Sequence, residues 1–311
     1  MQIIFMGNPD FAVPSLQRIS ESSHKIIAVV SNPPKRIGRG NKIKETVVGI
    51  TAKAMEIPLL QPPKLNDKQF LQYLSWMNPD IFVLVAYKIL SDRLLSIPKY
   101  GAINLHPSLL PKYRGAAPIQ RTLINGDSQT AVTTIFLSKH IDSGNILLQK
   151  TVDIENEDNY GTLASRLSKI GADLVVETLD GIETNNLQGS PQDESKVTLA
   201  PKIKSDDYKI DWTKQTNEIH NLIRAFSPEP GAFTTVFNGK RMKIFSSSIL
   251  DNLSENINYG EIVICSKNRL AIQPGQGLIE IDEVQIEGNK RMKVEEFLRG
   301  TKLQIKMMLG N

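Results

Sequence analysis

Ile81-Phe82-Val83-Leu84-Val85-Ala86 is a run of six residues with no polar side chain at either alternate position. A strand written this way is buried on both faces, as strands are in a parallel sheet with helices above and below. The flanking chain repeats the pattern. Apolar runs at 2–6, 25–30 and 59–60 alternate with stretches that read as helices at 10–22, 45–55, 67–77 and 92–97. This alternation predicts an α/β domain with a doubly wound, mostly parallel sheet. Strands at 131–137 and 145–152 and an amphipathic helix from Asn159 to about Ile182 complete it.

The next strand runs into Asn104-Leu105-His106-Pro107-Ser108-Leu109-Leu110-Pro111-Lys112-Tyr113-Arg114-Gly115. Asn104 and His106 are two apart, so on an extended segment they share a face. An amide donor beside an imidazole can hold an oxyanion and move a proton. The pair leaves the carboxyl edge of the expected sheet, where open α/β sheets bind ligands. Pro107 and Pro111 end the strand and stiffen the loop. Farther on, Ile141-Asp142-Ser143-Gly144 ends a neighbouring strand. By itself Asp-Ser-Gly is an ordinary turn. Beside Asn104 and His106, its carboxylate could raise the basicity of the imidazole and order a water between them. His24, His140 and His220 have no such company. One histidine and one carboxylate fall short of a three-ligand metal site, so no metal is expected.

The first turn, Gly7-Asn8-Pro9-Asp10-Phe11-Ala12, has one glycine where a dinucleotide fingerprint needs three. It reads as a tight turn that could form part of a substrate wall. With 311 residues and a net charge of +4, the chain has room for two ordinary domains and no charge bias that names a partner. The single cysteine, Cys265, lies in an apolar run and fits a reducing compartment. With no leader and no bilayer-length apolar run expected, the reading is a cytoplasmic protein without a membrane partner. With no exposed heptad pattern, the default is a monomer.

Residues 187–205 have linker composition, which places a catalytic domain at 1–186 and a second domain at 206–311. The second domain has one helix near 213–225 and then short strands. Asn238-Gly239 marks a hairpin between two of them. Five short strands predict a small β-barrel, OB-like in kind. It carries two basic clusters, one with Arg241 and Lys243 and one with Arg291. If grouped on one face, these suit a nucleic-acid backbone. In the first domain the loop 32–45 holds Lys35, Arg36, Arg39, Lys42 and Lys44 and, through Lys44, no acid. It reads equally as a solvated, flexible arm or as one that orders on a polyanion.

Taken together these residues resemble the methionyl-tRNA formyltransferase family. The likeness includes Met6-Gly7-Asn8-Pro9-Asp10-Phe11-Ala12, the Gly38-Arg39-Gly40-Asn41-Lys42 loop and Asn-x-His-x-Ser-Leu-Leu-Pro-x-x-Arg-Gly. It continues through Ala116 to Gln120, then Ile141 to Gly144, Ile210-Asp211-Trp212 and Ile223-Arg224-Ala225-Phe226. The Ser-Leu-Leu-Pro loop marks folate-dependent formyltransferases generally; the rest narrows the match. The resemblance implies a formyltransferase-like fold and transfer of a formyl group from 10-formyltetrahydrofolate to the α-amine of methionine on initiator tRNA. It implies Asn104, His106 and Asp142 as catalytic residues and Ser108, Leu109, Leu110 and Pro111 as lining of the folate site. Tyr87, Ile89 and Leu90 would wall the pterin, in a segment one residue shorter than the family pattern. The basic loop would meet the acceptor end of the tRNA. A formyltransferase with a small amine acceptor would leave the second domain unexplained. A tRNA-binding protein without chemistry would leave Asn104, His106 and Asp142 unexplained.

Overall fold

The computed structural model describes residues 1–37, 42–236, 239–250, 258–301 and 303–310. It divides into two compact units. The first comprises Met1–Pro118, Gln129–Asp153 and Ala164–Ala200; the second comprises Ile119–Ser128, Ile154–Leu163 and Pro201–Asn311.

The first unit is built on strands β1 (Gln2–Gly7), β2 (Lys25–Val30), β3 (Lys35–Ile37), β4 (Lys42–Lys44), β5 (Leu59–Leu60), β6 (Ile81–Val85), β7 (Ala102–His106), β8 (Arg114–Gly115), β9 (Gln129–Phe136), β10 (Ile146–Asp153) and β11 (Leu199–Ala200). Seven of them form one sheet in the order β10-β9-β7-β6-β1-β2-β5. The ladders β7-β6-β1-β2-β5 are parallel, whereas β9 and β10 are antiparallel additions. The order reverses between β1 and β6, the switch point beside which such sheets take ligands. All five residues of β6 are buried, as the unbroken apolar run requires.

The helices are α1 (Val13–Ser20), α2 (Val47–Ala54), α3 (Lys68–Trp76), α4 (Asp92–Leu95), α5 (Pro118–Asn125), α6 (Tyr160–Glu183), α7 (Thr216–Ala225) and α8 (Val294–Arg299). Thr46 and Asp67 cap α2 and α3, accepting from Gly49 N at 3.0 Å and from Gln69 N and Phe70 N at 3.1 Å. The expected helix at 10–22 is instead a 3-10 turn, Asp10–Ala12, followed by α1. Under one face of the sheet Ile4, Met6, Val30, Phe82, Leu84 and Leu94 form a core of fully or nearly fully buried side chains, each contributing about 1.5–3 kcal/mol.

Residues 187–205 are not a free linker. β11 pairs in parallel with β8, and Arg114 N donates to the carbonyl of Thr198 at 2.9 Å. The first unit therefore extends to Ala200, past the expected boundary at 186. The physical reason is that a polar segment can be ordered by hydrogen bonds to another loop without an apolar stripe of its own. The second unit likewise includes most of α5, where Arg121 pairs with Asp207 at 2.9 Å.

The second unit adds β12 (Ala232–Thr235), β13 (Arg241–Leu250), β14 (Ile262–Cys265), β15 (Leu270–Ile272), β16 (Leu278–Ile286) and β17 (Met292–Lys293). They form an antiparallel sheet in the order β12-β13-β16-β15-β14, with β17 on β16. The two outer strands are joined through the C-terminal segment, where Leu309 N donates to Gly260 at 2.8 Å and Gly310 N to Thr235 at 2.9 Å. The core holds Trp212, Ile219, Ile223, Met242, Ile244, Ile279 and Ile281. β12 and β13 pair as a hairpin; Gly239 has φ +74°, while Asn238 lies outside the described residues.

Candidate active site

β7 places Asn104 opposite Leu84 on β6 and Ile135 on β9, and His106 opposite Thr133. Its apolar members Ile103 and Leu105 are buried at 1 % and 2 % exposure. The strand is thus gripped from both sides, and the alternation that buries its apolar residues orients Asn104 and His106 together. His106 is 4 % exposed and Asn104 half-buried.

The loop after β7 turns back on the imidazole. Ser108 Oγ donates to the carbonyl of Lys112 at 2.7 Å, and Thr133 Oγ1 donates to the carbonyl of Ser108 at 2.7 Å. Tyr113 sits at φ +62° with its N–H on Thr198 Oγ1 at 2.8 Å. That conformation presents the Tyr113 carbonyl to His106 Nε2 at 2.9 Å. A carbonyl only accepts, so Nε2 carries the hydrogen. Nδ1 is left facing Asp142 Oδ2 at 3.6 Å. That separation is an ion-pair distance and too long for a direct hydrogen bond. Asp142 stands at φ +50°, and its Oδ2 also accepts from Gly115 N at 2.9 Å. His106 thus ends β7 and Asp142 lies in the turn between β9 and β10, the two side chains 3.6 Å apart, while Asn104 sits two residues before His106 on the same strand.

The residues expected to line a folate site divide into two groups. Ser108, Leu110 and Leu90 are buried at 0 %, 3 % and 8 % exposure. Their side chains brace the loops: Leu90 packs with Leu84 and Leu94, and Ser108 holds its own turn. Leu109, Pro111 and Tyr87 are half-buried, and Ile89 is 73 % exposed. These four offer surface at the carboxyl ends of β6 and β7. Burial pushes the Tyr87 hydroxyl up to about 12, so it stays protonated and able to donate.

The basic loop is in part a β-ribbon. β3 and β4 pair antiparallel, with Lys35 opposite Lys44 and Ile37 opposite Lys42. Lys35, Lys42 and Lys44 thus share one face and Arg36 lies on the other, all exposed. Arg39 lies outside the described residues. In the second unit the Arg241 guanidinium stacks on Phe233 at 4.1 Å and that of Arg291 on Phe245 at 4.2 Å. Arg291 also pairs with Glu283. Lys243, opposite Phe233, is half-buried.

Among the described residues, one group of histidine and acids could share a metal ion: His24, Asp180 and Glu183. It lies by the start of β2, at the edge of the sheet opposite His106. There His24 Nε2 meets Asp180 at 3.1 Å and the Met1 ammonium donates to Glu183 at 2.9 Å, so both acids are engaged. The groups that sequence reasoning missed are backbone atoms, the Tyr113 carbonyl and the Gly115 N–H. Neither has a side-chain signature.

Residues 1–179 match the family described as formyl transferase, and residues 202–302 match the formyl transferase C-terminal domain. The methionyl-tRNA formyltransferase of Syntrophus aciditrophicus is 41 % identical over 311 residues, spanning 100 % of this chain and 99 % of that protein. That of Geobacter metallireducens is 39 % identical over 312 residues, spanning 100 % and 99 %. Among solved structures, an N-formyltransferase from Helicobacter canadensis in complex with folinic acid and dTDP-3-aminofucose superposes with a TM-score of 0.68 at 21 % identity, covering 93 % of this chain and 99 % of that one. The methionyl-tRNA formyltransferase from Clostridium thermocellum gives 0.57 at 16 % identity, covering 81 % and 95 %. At such identities the structural likenesses bear on the fold.

Proposed function

The chain belongs to the methionyl-tRNA formyltransferase family, and we propose that Asn104, His106 and Asp142 carry out its transfer, from 10-formyltetrahydrofolate to the α-amino group of methionine on initiator tRNA. The observation that carries the reading is the full-length identity of about 40 % to such enzymes, with His106 Nδ1 set 3.6 Å from Asp142. The product would be the N-formylmethionyl-tRNA of translation initiation.

The donor supplies an electrophilic formyl carbon. Everything else falls to the protein. As the uncharged amine bonds to that carbon, negative charge gathers on the formyl oxygen. The Asn104 amide is assigned to donate to it; removal of one such donor typically slows turnover by about 100- to 1000-fold. His106, fixed through Nε2, keeps Nδ1 for exchange of a proton with the reacting groups. Asp142 faces that edge of the ring and favours the imidazolium that forms when Nδ1 takes up the proton, and a water beside the two can pass the proton from the attacking nitrogen to the departing one. At 3.6 Å the two groups are close enough for their charges to interact, and the water is assigned a place beside both. Fixing two large substrates in one geometry lowers the barrier further.

The surface offered by Tyr87, Ile89, Leu109 and Pro111 suits the flat faces of a pterin, whose polar edge would take hydrogen bonds. Lys35, Arg36, Arg39, Lys42 and Lys44 are assigned to tRNA phosphates, and in the second unit so are Arg241, Lys243 and Arg291. Stacking on Phe233 and Phe245 holds two of these guanidinium planes, that of Arg291 being shared with Glu283. Among the described residues no helix is long and apolar enough to cross a membrane.

The test supplies labelled formyl donor with methionylated initiator tRNA, and separately with small amines including amino sugars. Label on the tRNA alone supports the reading. Label on the small amines replaces it with a small-acceptor formyltransferase, and no label removes it.

A further inference from the structure

Residues 180–201 lie between the two family matches, yet one of them is bonded directly to the turn that carries Asp142. Gln192 Nε2 donates to the carbonyl of Asp142 at 2.7 Å and to the carbonyl of Gly144 at 2.8 Å. Gln192 Oε1 accepts from Arg114 Nη2 at 2.8 Å and Nε at 3.0 Å. Arg114 is in turn held by Glu194, with its Nη2 and Nη1 on the carboxylate at 2.8 and 3.1 Å. The arginine is 8 % exposed. Its hydrogen bond keeps the Glu194 carboxyl below the usual carboxylate range.

The partners fix the orientation of the amide. Carbonyls only accept and a guanidinium only donates, so Nε2 must face the turn and Oε1 the arginine. One side chain therefore ties together both loops that build the site. Arg114 precedes Gly115, whose N–H binds the Asp142 carboxylate, and the other end of Gln192 clamps the backbone of Asp142 itself. The turn needs such a clamp. Asp142 is held in the left-handed region, which an aspartate occupies only at some cost. Without the two donors from Gln192 the carbonyls of Asp142 and Gly144 would need other partners.

We propose that Gln192 is a positioning residue for formyl transfer, setting the Asp142 carboxylate against His106 from a segment outside both family domains. The proposal rests on the assignment of Asp142 to the chemistry. Gln192 touches neither substrate; it acts by fixing the backbone from which the carboxylate projects. A shift of about 1 Å in a reacting group can cost on the order of 100-fold in rate.

The experiment is steady-state formylation of methionyl-tRNA by the full chain, comparing wild type, Gln192→Glu, Asp142→Asn and the double variant. Gln192→Glu keeps an oxygen for Arg114 and removes both donors to the turn. The expected result is a fall in kcat on the order of 100-fold, with KM for methionyl-tRNA within about twofold in a variant that still melts cooperatively. In the Asp142→Asn background the same change should cost almost nothing more, because the carboxylate it serves is gone. Gln192→Met, which puts no charge beside the carbonyls, should give the same kcat loss and covers the case in which Gln192→Glu fails to fold. Unchanged kcat in a folded Gln192 variant, or losses that add to those of Asp142→Asn, would overturn the proposal. If Asp142→Asn alone retained full turnover, it is the catalytic assignment of Asp142 that would fall.

Discussion

His106 is pinned by the backbone of Tyr113: Nε2 donates to that carbonyl at 2.9 Å, and this alone decides that Nδ1 meets Asp142. The imidazole cannot turn over without breaking a buried hydrogen bond. A ring fixed in one orientation and one tautomer needs no reorganisation when charge develops beside it.

Asn104→Ala is expected to lower kcat by about 100- to 1000-fold with little change in affinity for tRNA, since its amide is assigned to the developing oxyanion. Rapid-quench turnover and filter binding separate the two quantities. An affinity loss as large as the rate loss would show that Asn104 binds tRNA instead.

Gly144 follows the Asp142 turn by two residues, and a Cβ there would lie 1.6 Å from the carbonyl oxygen of Phe136. Gly144→Ala must therefore push the turn away from β9. A stability loss of about 1–3 kcal/mol is expected, along with near-complete loss of transfer. Denaturant melts and a turnover assay check it; a normal melt with normal turnover would contradict the packing.

On β3 and β4, Lys35, Lys42 and Lys44 face the same way. Replacing all three with alanine should flatten the dependence of log affinity for tRNA on log salt by about 2 to 3, one phosphate contact per lysine. Folate affinity should not move. An unchanged salt slope would remove these lysines from the tRNA contact set.

In the second unit His220 Nδ1 meets Ser247 Oγ at 3.1 Å, and burial, with help from Arg224, lowers the imidazole from its ordinary 6.5. Between the native and the ordinary value the unfolded chain binds a proton that the native chain does not. Stability should thus fall as pH drops through 6.5 and level off below the native value. His220→Gln should lessen that decline in urea melts taken across this range; an identical decline in both proteins would mean that another group sets it.

Much of this was readable in advance because it follows from periodicity. The unbroken apolar run at 81–86 disclosed a strand buried on both faces, and the two-residue spacing of Asn104 and His106 disclosed their common face. The Asn-Gly pair foretold the β12–β13 hairpin. What escaped was set by partners distant in sequence. The polar composition of 187–205 reads as linker, because nothing in a glutamine says that two carbonyls some fifty residues earlier will claim it. α5 went unmarked although Pro118 stands at its first position, a known start signal. The ribbon of β3 and β4 was hidden by its charge, since lysines facing one another oppose strand pairing.

The weave of residues 187–200 into the first unit bears on how related chains can be recombined. A chimaera spliced at 179, where the first family match ends, would take its aspartate turn from one parent and the brace for that turn from the other. Splicing after Ala200 would inherit both from a single ancestor. The seam that sequence families draw is thus some twenty residues short of the one that the hydrogen bonds draw.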